Sequence, residues 1–453
     1  MFLSVTGRND WSSTLPVANN SFFYPSVSGS FVFSDLPELK NKLNFLSFGK
    51  IRASYAQTGK DAPAYRVRAR LVPQTTTGGG FIYDFYGDNP NLKPERTSGF
   101  ELGTELKFIK NRLGVEFAYY SNERSNQIVT QRLSYGTGFI FGLLNGGTFS
   151  NKGIELTLTA SPVKTANFSW DMIVNVTRFK TQVKNLPAEV AEFYNSDTWL
   201  YGNARASAFS SGLENFYSNI NLSNNQSGAA SATAIGGYSY LRNNKGDILI
   251  SPSTGLPVIN TNFLPIGDRN PSFTMGVTNQ FRYKNISLSF LLDIRKGGDV
   301  YNGNERYLFA RGLSTRTLNR EQPVIFKGVL RDGLENSDNP TPNNIQITPQ
   351  LRSDFYTALP ESEFVEKDIN WLRMRDITLG YRFPKEFLNR SKIFANASVF
   401  VTGTDLFLLT NYSGADPSVN GNSASTLGVG SAGFDFGTLA MPRAVSFGLR
   451  VGL

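Results

Sequence analysis

The sequence predicts an all-β protein, a transmembrane antiparallel β-barrel, and the first of three supporting observations is a two-residue hydrophobic period. Phe100, Leu102 and Leu106 share one parity, whereas Glu101 and Glu105 share the other. Successive side chains of a strand point to opposite faces of its sheet, so this alternation indicates a strand with one apolar and one polar face.

The second observation is the length of these strands. After the short turn 109–112, the alternation restarts with Leu113, Val115, Phe117 and Tyr119 on the apolar side. Runs of about ten or more residues exceed the five or six typical of soluble sheets, and they match a tilted strand that crosses a bilayer. One-sided apolar stripes also occur in soluble sandwiches, but strand length and charges on the second face favour a membrane barrel.

The third observation is the composition of the 453-residue chain, which is 40% hydrophobic and 13% aromatic. The sequence has no run of about 18 apolar residues, which argues against membrane-spanning helices. Barrel strands carry a weaker hydrophobic signal because lipid-facing residues alternate with polar ones. The 42 glycines, 36 phenylalanines and 19 tyrosines suit close strand contacts and aromatic girdles.

Read along the chain, the same alternation predicts about a dozen strands. The apolar stripe recurs in Phe168, Trp170 and Met172, again within 286–294, and finally within 445–453. The predicted strands are 2–11, 21–34, 45–57, 97–109, 112–130, 148–160, 167–182, 272–283, 285–297, 369–383, 393–407 and 440–453.

The connections between these strands differ greatly in length, and long and short ones largely alternate. This is the arrangement of barrels with short periplasmic turns and long outer loops. Loops longer than about 15 residues are usually functional, so binding residues are expected in the long ones. The compact connections are 109–112, 161–167, 282–285 and 384–392, and the long ones are 58–96, 183–271 and 298–368.

The formal net charge of +9 has two interpretations. A basic chain can bind nucleic acid, but the cations here, such as Lys107, Arg112, Lys284 and Arg373, are scattered rather than clustered. Cations at strand ends beside lipid headgroups, and inside a polar lumen, account for them. We therefore expect contact with outer-membrane lipid and no nucleic-acid partner.

The absence of His and Cys limits the chemistry of the chain. It excludes a Ser-His-Asp triad, a Cys nucleophile and the usual zinc sites. The remaining carboxylates, hydroxyls and lysines form no convincing catalytic constellation, so we expect no enzyme, no cofactor and no metal site. The alternative is an outer-membrane phospholipase or protease, which the lack of His disfavours.

Short motifs along most of the chain carry a family resemblance, each weak alone but together informative in number and order. They are Asn89–Glu95, Glu101–Gly103, Asn145–Gly147, Asn151–Leu156, Ile266–Pro271, Gly297–Asn302, Trp371–Tyr381, Thr404–Phe407 and Gly414–Pro417. In these motifs the chain resembles the SusC/RagA-like TonB-dependent outer-membrane transporters.

The resemblance implies a barrel of about 22 strands with a plugged lumen, of which residues 1–453 form the C-terminal portion. The family's plug domain and TonB-interacting segment find no counterpart in the sequence. Residues 1–20 also lack the basic, apolar and cleavage regions of a signal peptide. We therefore expect a chain without plug domain and signal peptide that begins partway through a longer protein.

The same resemblance implies import of glycan oligosaccharides or peptides across the cell outer membrane. A SusD-like surface lipoprotein would cover the barrel, and the TonB complex would act through the missing N-terminal part. An alternative is a TonB-dependent receptor for an iron chelate or cobalamin. A further alternative is a fragment that is non-functional as it stands, because a partial barrel exposes unpaired strand edges to lipid.

Aromatic residues of the long loops are the candidate substrate-binding residues, because aromatic rings stack on sugars and on peptide side chains. The alternative is that they pack the loops against each other or against the lipoprotein. The candidates are Tyr83, Phe85 and Tyr86 in the first long loop and Trp199, Tyr201, Phe216, Tyr217, Tyr238 and Tyr240 in the second.

Overall fold

A computed structural model describes residues 1–74, 78–186, 192–194, 204–209, 231–388, 394–418 and 432–452. Over these residues, the main sheet is antiparallel and its strands pair with one another in chain order. These wall strands are β1 (Phe2–Trp11), β2 (Ser21–Val32), β3 (Leu46–Lys60), β4 (Glu95–Phe108), β5 (Leu113–Arg132), β6 (Phe141–Lys164), β7 (Phe168–Asn185), β8 (Phe273–Tyr283), β9 (Ile286–Lys296), β10 (Trp371–Arg382), β11 (Asn396–Thr404) and β12 (Ala444–Gly452).

The wall strands confirm the strands predicted from the alternation, and the main correction concerns β5 and β6. The sequence predicts a connection between positions 130 and 148, whereas β6 already begins at Phe141. The ladder continues through register shifts around Gln127, beyond which Val129 pairs with Leu144. Asn126 there adopts a left-handed backbone with φ 55°, which allows a bulge that alternation alone does not reveal.

Two compact connections also differ from their predicted bounds. The connection predicted at 161–167 is shorter, because β6 continues to Lys164. The connection predicted at 384–392 contains a short helix, Lys385–Leu388, and its residues 389–393 lie outside the described part of the chain.

The two faces of the wall differ as the alternation predicts. Cross-strand register places Val5, Val27, Tyr55 and Phe100 in one row, and all four are exposed apolar or aromatic side chains. The opposite face carries polar rows such as Ser28 with Ser54. An exposed apolar face backed by a polar face is what a bilayer-spanning wall requires, because lipid covers the first and water the second.

The first and last strands of the described wall, β1 and β12, each have an unpaired edge. Among the described residues, β1 pairs with β2 and β12 pairs with β11, and neither outer edge has a strand partner. An unpaired edge leaves a row of backbone N–H and C=O groups without hydrogen bonds, which costs several kcal/mol per group in lipid.

The long connections lie on one end of the wall and form a folded layer. Its helices and the helices of the shorter connections are short, and none in the described residues is long and apolar enough to span a membrane. The α-helices are Pro37–Lys42, Gly303–Ala310 and Lys385–Leu388, and the 3-10 helices are Val17–Asn19, Phe33–Asp35, Tyr135–Thr137, Thr315–Thr317, Pro349–Leu351, Ser353–Thr357 and Glu361–Phe364.

Short strands organise the same layer into small sheets. The strand Leu408–Thr410 joins the main sheet by pairing with β10. The others are Leu71–Pro73, Phe81–Tyr83, Glu192–Tyr194, Arg205–Phe209, Ser231–Gly237, Leu249–Ile250, Leu264–Asp268, Val300–Asn302, Val329–Leu330, Val365–Glu366 and Phe434–Asp435.

Candidate functional site

The loop layer has its own aromatic core. The ring of Phe309 lies 5.8 Å from Phe355, 6.1 Å from Tyr356 and 6.0 Å from Phe364, measured between centroids. These residues come from the connection between β9 and β10, and Tyr240, from the connection between β7 and β8, belongs to the same cluster. Two long loops therefore share one core, which gives the outer end of the wall a defined surface.

The carboxylate of Asp299 joins the two long connections of this layer, next to the ends of the wall strands. Its Oδ2 accepts hydrogen bonds from the Asp268 N–H at 2.9 Å and from the Lys367 ammonium at 3.0 Å. Its Oδ1 accepts from the Asp368 N–H at 3.1 Å. The motif segments Ile266–Pro271 and Gly297–Asn302 thus meet at one carboxylate, which gives them a structural role.

The neighbouring residues of the first motif segment also hold loops together. The Asn270 amide donates to the backbone oxygen of Phe179 in β7 at 2.7 Å. Arg269 donates from Nη1 to the backbone oxygen of Ala432 at 2.7 Å. Burial lowers the pKa of Arg269 to about 10, so its guanidinium stays charged at neutral pH and strengthens these hydrogen bonds.

Two of the candidate aromatics are packing residues of the loop layer. Tyr240 is 7% exposed, and its hydroxyl donates to Glu363 Oε2 at 3.2 Å. Burial raises the pKa of the Tyr240 hydroxyl, so this group remains a donor. The Tyr238 ring lies edge-on to Phe263 at 5.4 Å. Both residues therefore pack within the loop layer, and their role in ligand binding stays a prediction.

The first long loop presents its aromatics differently. Tyr86 is half-buried against Phe141, 5.3 Å away, with the Arg66 guanidinium 4.1 Å from its ring. Tyr83 and Phe85 are 55% and 57% exposed. Together with the exposed Phe81, they form what we call the aromatic edge, defined as Phe81, Tyr83 and Phe85.

The candidate aromatics that the structure describes do not form one site. Tyr86, Tyr238 and Tyr240 pack in three different clusters. Trp199, Tyr201, Phe216 and Tyr217 lie outside the described residues. Tyr83 and Phe85 are therefore the most exposed candidates within the described part of the chain.

A cavity of about 620 Å³ opens next to the aromatic edge. It lies between the segment 13–17 and the segment 65–70, and the exposed side chains of Tyr65 and Arg68 line it. Arg70, also in its lining, donates to Asp84 Oδ2 at 2.6 Å, and Asp84 lies between Tyr83 and Phe85 in the chain. The contact of Arg70 with Asp84 therefore places this cavity, which we call the outer recess, close to the aromatic edge.

The polar face of the wall contains a second recess that the sequence did not reveal. Arg52 donates from Nε to Glu101 at 3.1 Å and from Nη1 to Glu116 at 3.0 Å. Small side chains at Gly99 and Ala118 leave a cavity of about 480 Å³ beside this pair. The other polar lining residues are Ser54, Tyr120, Asn122, Asn151 and Glu155.

This polar recess suits a hydrated ligand. Glu155 has no hydrogen-bond or ion-pair partner among the described residues, and its side chain is exposed. Tyr120, Asn122 and Asn151 add both donors and acceptors. In the sequence, the charged residues Glu101, Glu105 and Lys107 indicate the polar face of the wall. The alternation does not show which neighbouring strands carry the side chains that pair with these charges.

Comparisons with known proteins agree on one family. The family model described as TonB dependent receptor-like, beta-barrel matches residues 2–302. TonB-dependent receptor P26 of Formosa agariphila is 26% identical over 465 residues, covering 99% of this chain and 44% of that protein. TonB-dependent receptor SusC of Bacteroides thetaiotaomicron is 24% identical over 438 residues, covering 91% of this chain and 39% of that protein.

A solved structure agrees in fold. The RagAB peptide importer in its closed-closed state superposes with a TM-score of 0.69 at 18% identity, covering 99% of this chain and 45% of that chain. The chain thus spans less than half the length of the curated relatives and of this structure. The open wall is the same fold as part of that larger barrel.

Proposed function

Since this chain belongs to the TonB dependent receptor-like β-barrel family, we propose that it imports glycan oligosaccharides or peptides as the C-terminal portion of a larger barrel. The chain is an outer-membrane protein, and its family consists of receptors and transporters rather than enzymes. The proposal concerns the ligand, the partners and the missing part of the barrel.

The two-faced wall with its polar recess is the observation that carries this proposal. An importer needs an apolar outer face toward lipid and a polar inner face along the path of a hydrated ligand. The ion pairs of Arg52 with Glu101 and Glu116 lie on that inner face. In a family barrel of about 22 strands, further strands would pair with the free edges of β1 and β12.

The outer loops would receive the ligand and its carrier protein. Exposed aromatic side chains beside an open recess bind sugar rings and apolar peptide side chains by stacking. The aromatic edge and the outer recess have this composition, and they lie at the outer end of β3 and β4. We propose that a SusD-like surface lipoprotein covers this end, and that the TonB complex acts through a part outside this chain.

Growth of the source cell on defined nutrients tests the class of ligand. Deleting the gene should abolish growth on one oligosaccharide or on peptides as the sole nutrient, and the complete gene should restore it. Normal growth on all of these, with a defect confined to uptake of an iron chelate or cobalamin, would contradict the proposal.

The intact mass of the protein isolated from the outer membrane tests the proposed larger barrel. We expect a mass near twice the 50.1 kDa of this chain. A mass near 50.1 kDa without a partner chain in the same complex would contradict the proposal and favour a fragment that is non-functional as it stands.

A further inference from the structure

The apolar face of the wall contains a groove across the last four wall strands. Its volume is about 410 Å³. Six of its lining residues are Ile286, Leu379, Tyr381, Val399, Val401 and Phe447, and they have the parity of the lipid-facing rows. Gly380 and Phe400, which have the other parity, also line it. The six residues place the groove on the bilayer side of the wall.

The strand register explains the shape of this groove. One row places Val399 between Tyr381 and Leu449, and the next row places Val401 between Leu379 and Phe447. The two valines on β11 are shorter than their neighbours on β10 and β12. They therefore form the floor of a channel whose sides are the longer side chains.

Cations lie at the end of the groove near the short turns. Lys284 occupies the turn between β8 and β9, directly after the end of β8, and its ammonium lies 5.6 Å from the centre of the Tyr283 ring. Two hydrogen bonds tie this turn to the end of β10, since the Asn285 amide donates to the Arg382 oxygen at 2.7 Å and the Arg382 N–H donates to the Asn285 oxygen at 2.9 Å. Lys385 begins the following helix, so Lys284 and Lys385 are two cations at this end, whereas Arg382 pairs in register with Ser398 on the polar face. The segment 382–388 contains the single carboxylate of Glu386.

Aromatic rings mark the same end as a membrane interface. Tyr381 and Phe383 lie 5.4 Å apart, and Phe383 and Phe387 lie 5.6 Å apart. Rings of this kind are enriched at the level of lipid headgroups. Because short turns are periplasmic in such barrels, the headgroups here belong to the periplasmic leaflet.

We propose that this groove is a specific site for an anionic glycerophospholipid of the periplasmic leaflet. One acyl chain lies on Val399 and Val401, and the phosphate lies near Lys284 and Lys385. Lipid is the occupant because the groove faces the bilayer, and the cations at its headgroup end favour a phosphate without a compensating positive charge. The site depends on the outer-membrane location of the chain and not on the imported ligand.

Native mass spectrometry of the protein from its own outer membrane tests the acyl-chain site. The protein is exchanged into nanodiscs of phosphatidylglycerol and phosphatidylethanolamine, and the lipids that stay bound after release are counted. The Val399→Trp variant fills the floor of the groove and should lose the retained phosphatidylglycerol. The control is Val27→Trp, a lipid-facing valine of β2 with similar exposure, 42% against 38% for Val399.

Charge removal tests the headgroup end. Lys284→Gln should lower the preference for phosphatidylglycerol about fivefold, because a surface cation contributes about 1 kcal/mol toward anionic lipid. Lys110→Gln is the matched control, since Lys110 lies in another short turn with the same left-handed backbone. The φ angle is 54° at Lys110 and 50° at Lys284. Equal retention of phosphatidylglycerol and phosphatidylethanolamine by the unmodified protein would overturn the proposal. An equal loss of retained phosphatidylglycerol in each variant and its control would overturn it as well.

Discussion

The guanidinium of Arg373 donates a hydrogen bond to the carboxylate of Asp416, and the two side chains are only 2% and 5% exposed. Nη1 of the same guanidinium donates to Asp405 at 3.1 Å, and Ser418 lies 3.1 Å from Nη2. Arg373 belongs to β10, whereas its three partners belong to the loop that follows β11. One buried cation therefore holds that loop against the wall.

Removing one partner of this pair should loosen the loop. Asp416→Ala leaves part of a buried guanidinium unpaired and should lower the free energy of unfolding by about 3 kcal/mol. This is the lower end of the range for breaking a buried ion pair, because Asp405 still pairs with Arg373. Hydrogen exchange of residues 405–418 should become faster. Asp354→Ala, which removes the exposed pair of Arg352 with Asp354, should change little, and equal protection in both variants would contradict a holding role.

The first long loop should respond to acid through Asp84. Burial alone would raise the pKa of Asp84, but the hydrogen bond from Arg70 and the charges of Arg70 and Arg66 outweigh it and lower the pKa below the ordinary 3.8. A lowered pKa in the folded state stabilises the loop above pH 3.8, and this contribution is lost as the pH falls through the folded-state value.

Limited proteolysis of residues 61–94 between pH 6 and pH 3 measures this acid response. We expect cleavage to increase below about pH 4. Asp84→Asn should make cleavage high and nearly independent of pH. Asp88→Asn, at an exposed carboxylate of the same loop, should leave the acid response in place, and the same flat profile in both variants would rule out Asp84 as its source.

The candidate aromatics should separate into binding and packing residues. Tyr83→Ala with Phe85→Ala should reduce ligand uptake in the complete protein without changing its thermal unfolding, because both side chains are exposed. Tyr240→Ala should lower stability by about 3 kcal/mol, as truncation of a buried aromatic does. Uptake unchanged by the first pair of substitutions would leave the aromatic edge without a binding role.

A glycine on the polar face should not tolerate a side chain. A Cβ added at Gly153 would lie 2.5 Å from the Tyr120 hydroxyl and 2.8 Å from the backbone oxygen of Arg178. Gly153→Ala should therefore cost about 1–3 kcal/mol in unfolding free energy. At Gly276 the nearest atom would be Leu291 Cδ1 at 3.8 Å, so Gly276→Ala is the control, and equal stability of both variants would contradict the close strand contact.

The wall was predictable from sequence because a period of two residues is a direct consequence of strand geometry. The start of β6 was not predictable from sequence. The bulge at Asn126 and Gln127 lets the pairing of β5 with β6 continue through residues between positions 130 and 148, which resemble a loop in the sequence. Alternation says which residues share a face but not which strands are neighbours. The pairing of Arg52 with Glu101 and Glu116, 49 and 64 residues away, depends on that neighbour relation.

The loop aromatics were predictable only as a set. Loops have no fixed side-chain period, so the sequence could not separate the buried Tyr240 from the exposed Tyr83. The motif residues Asp299, Arg373 and Asp416 hold segments of the chain together through their hydrogen bonds, and the motifs alone do not show these partners.

Cysteine labelling in intact cells tests the membrane-spanning wall most directly, because the chain contains no native cysteine. Ser253→Cys lies in a long loop and Ala166→Cys lies in a short turn, and both side chains are exposed. A membrane-impermeant maleimide should label Cys at position 253 in intact cells and Cys at position 166 only after the outer membrane is opened. Equal labelling of both positions in intact cells would contradict a wall that separates outer loops from periplasmic turns.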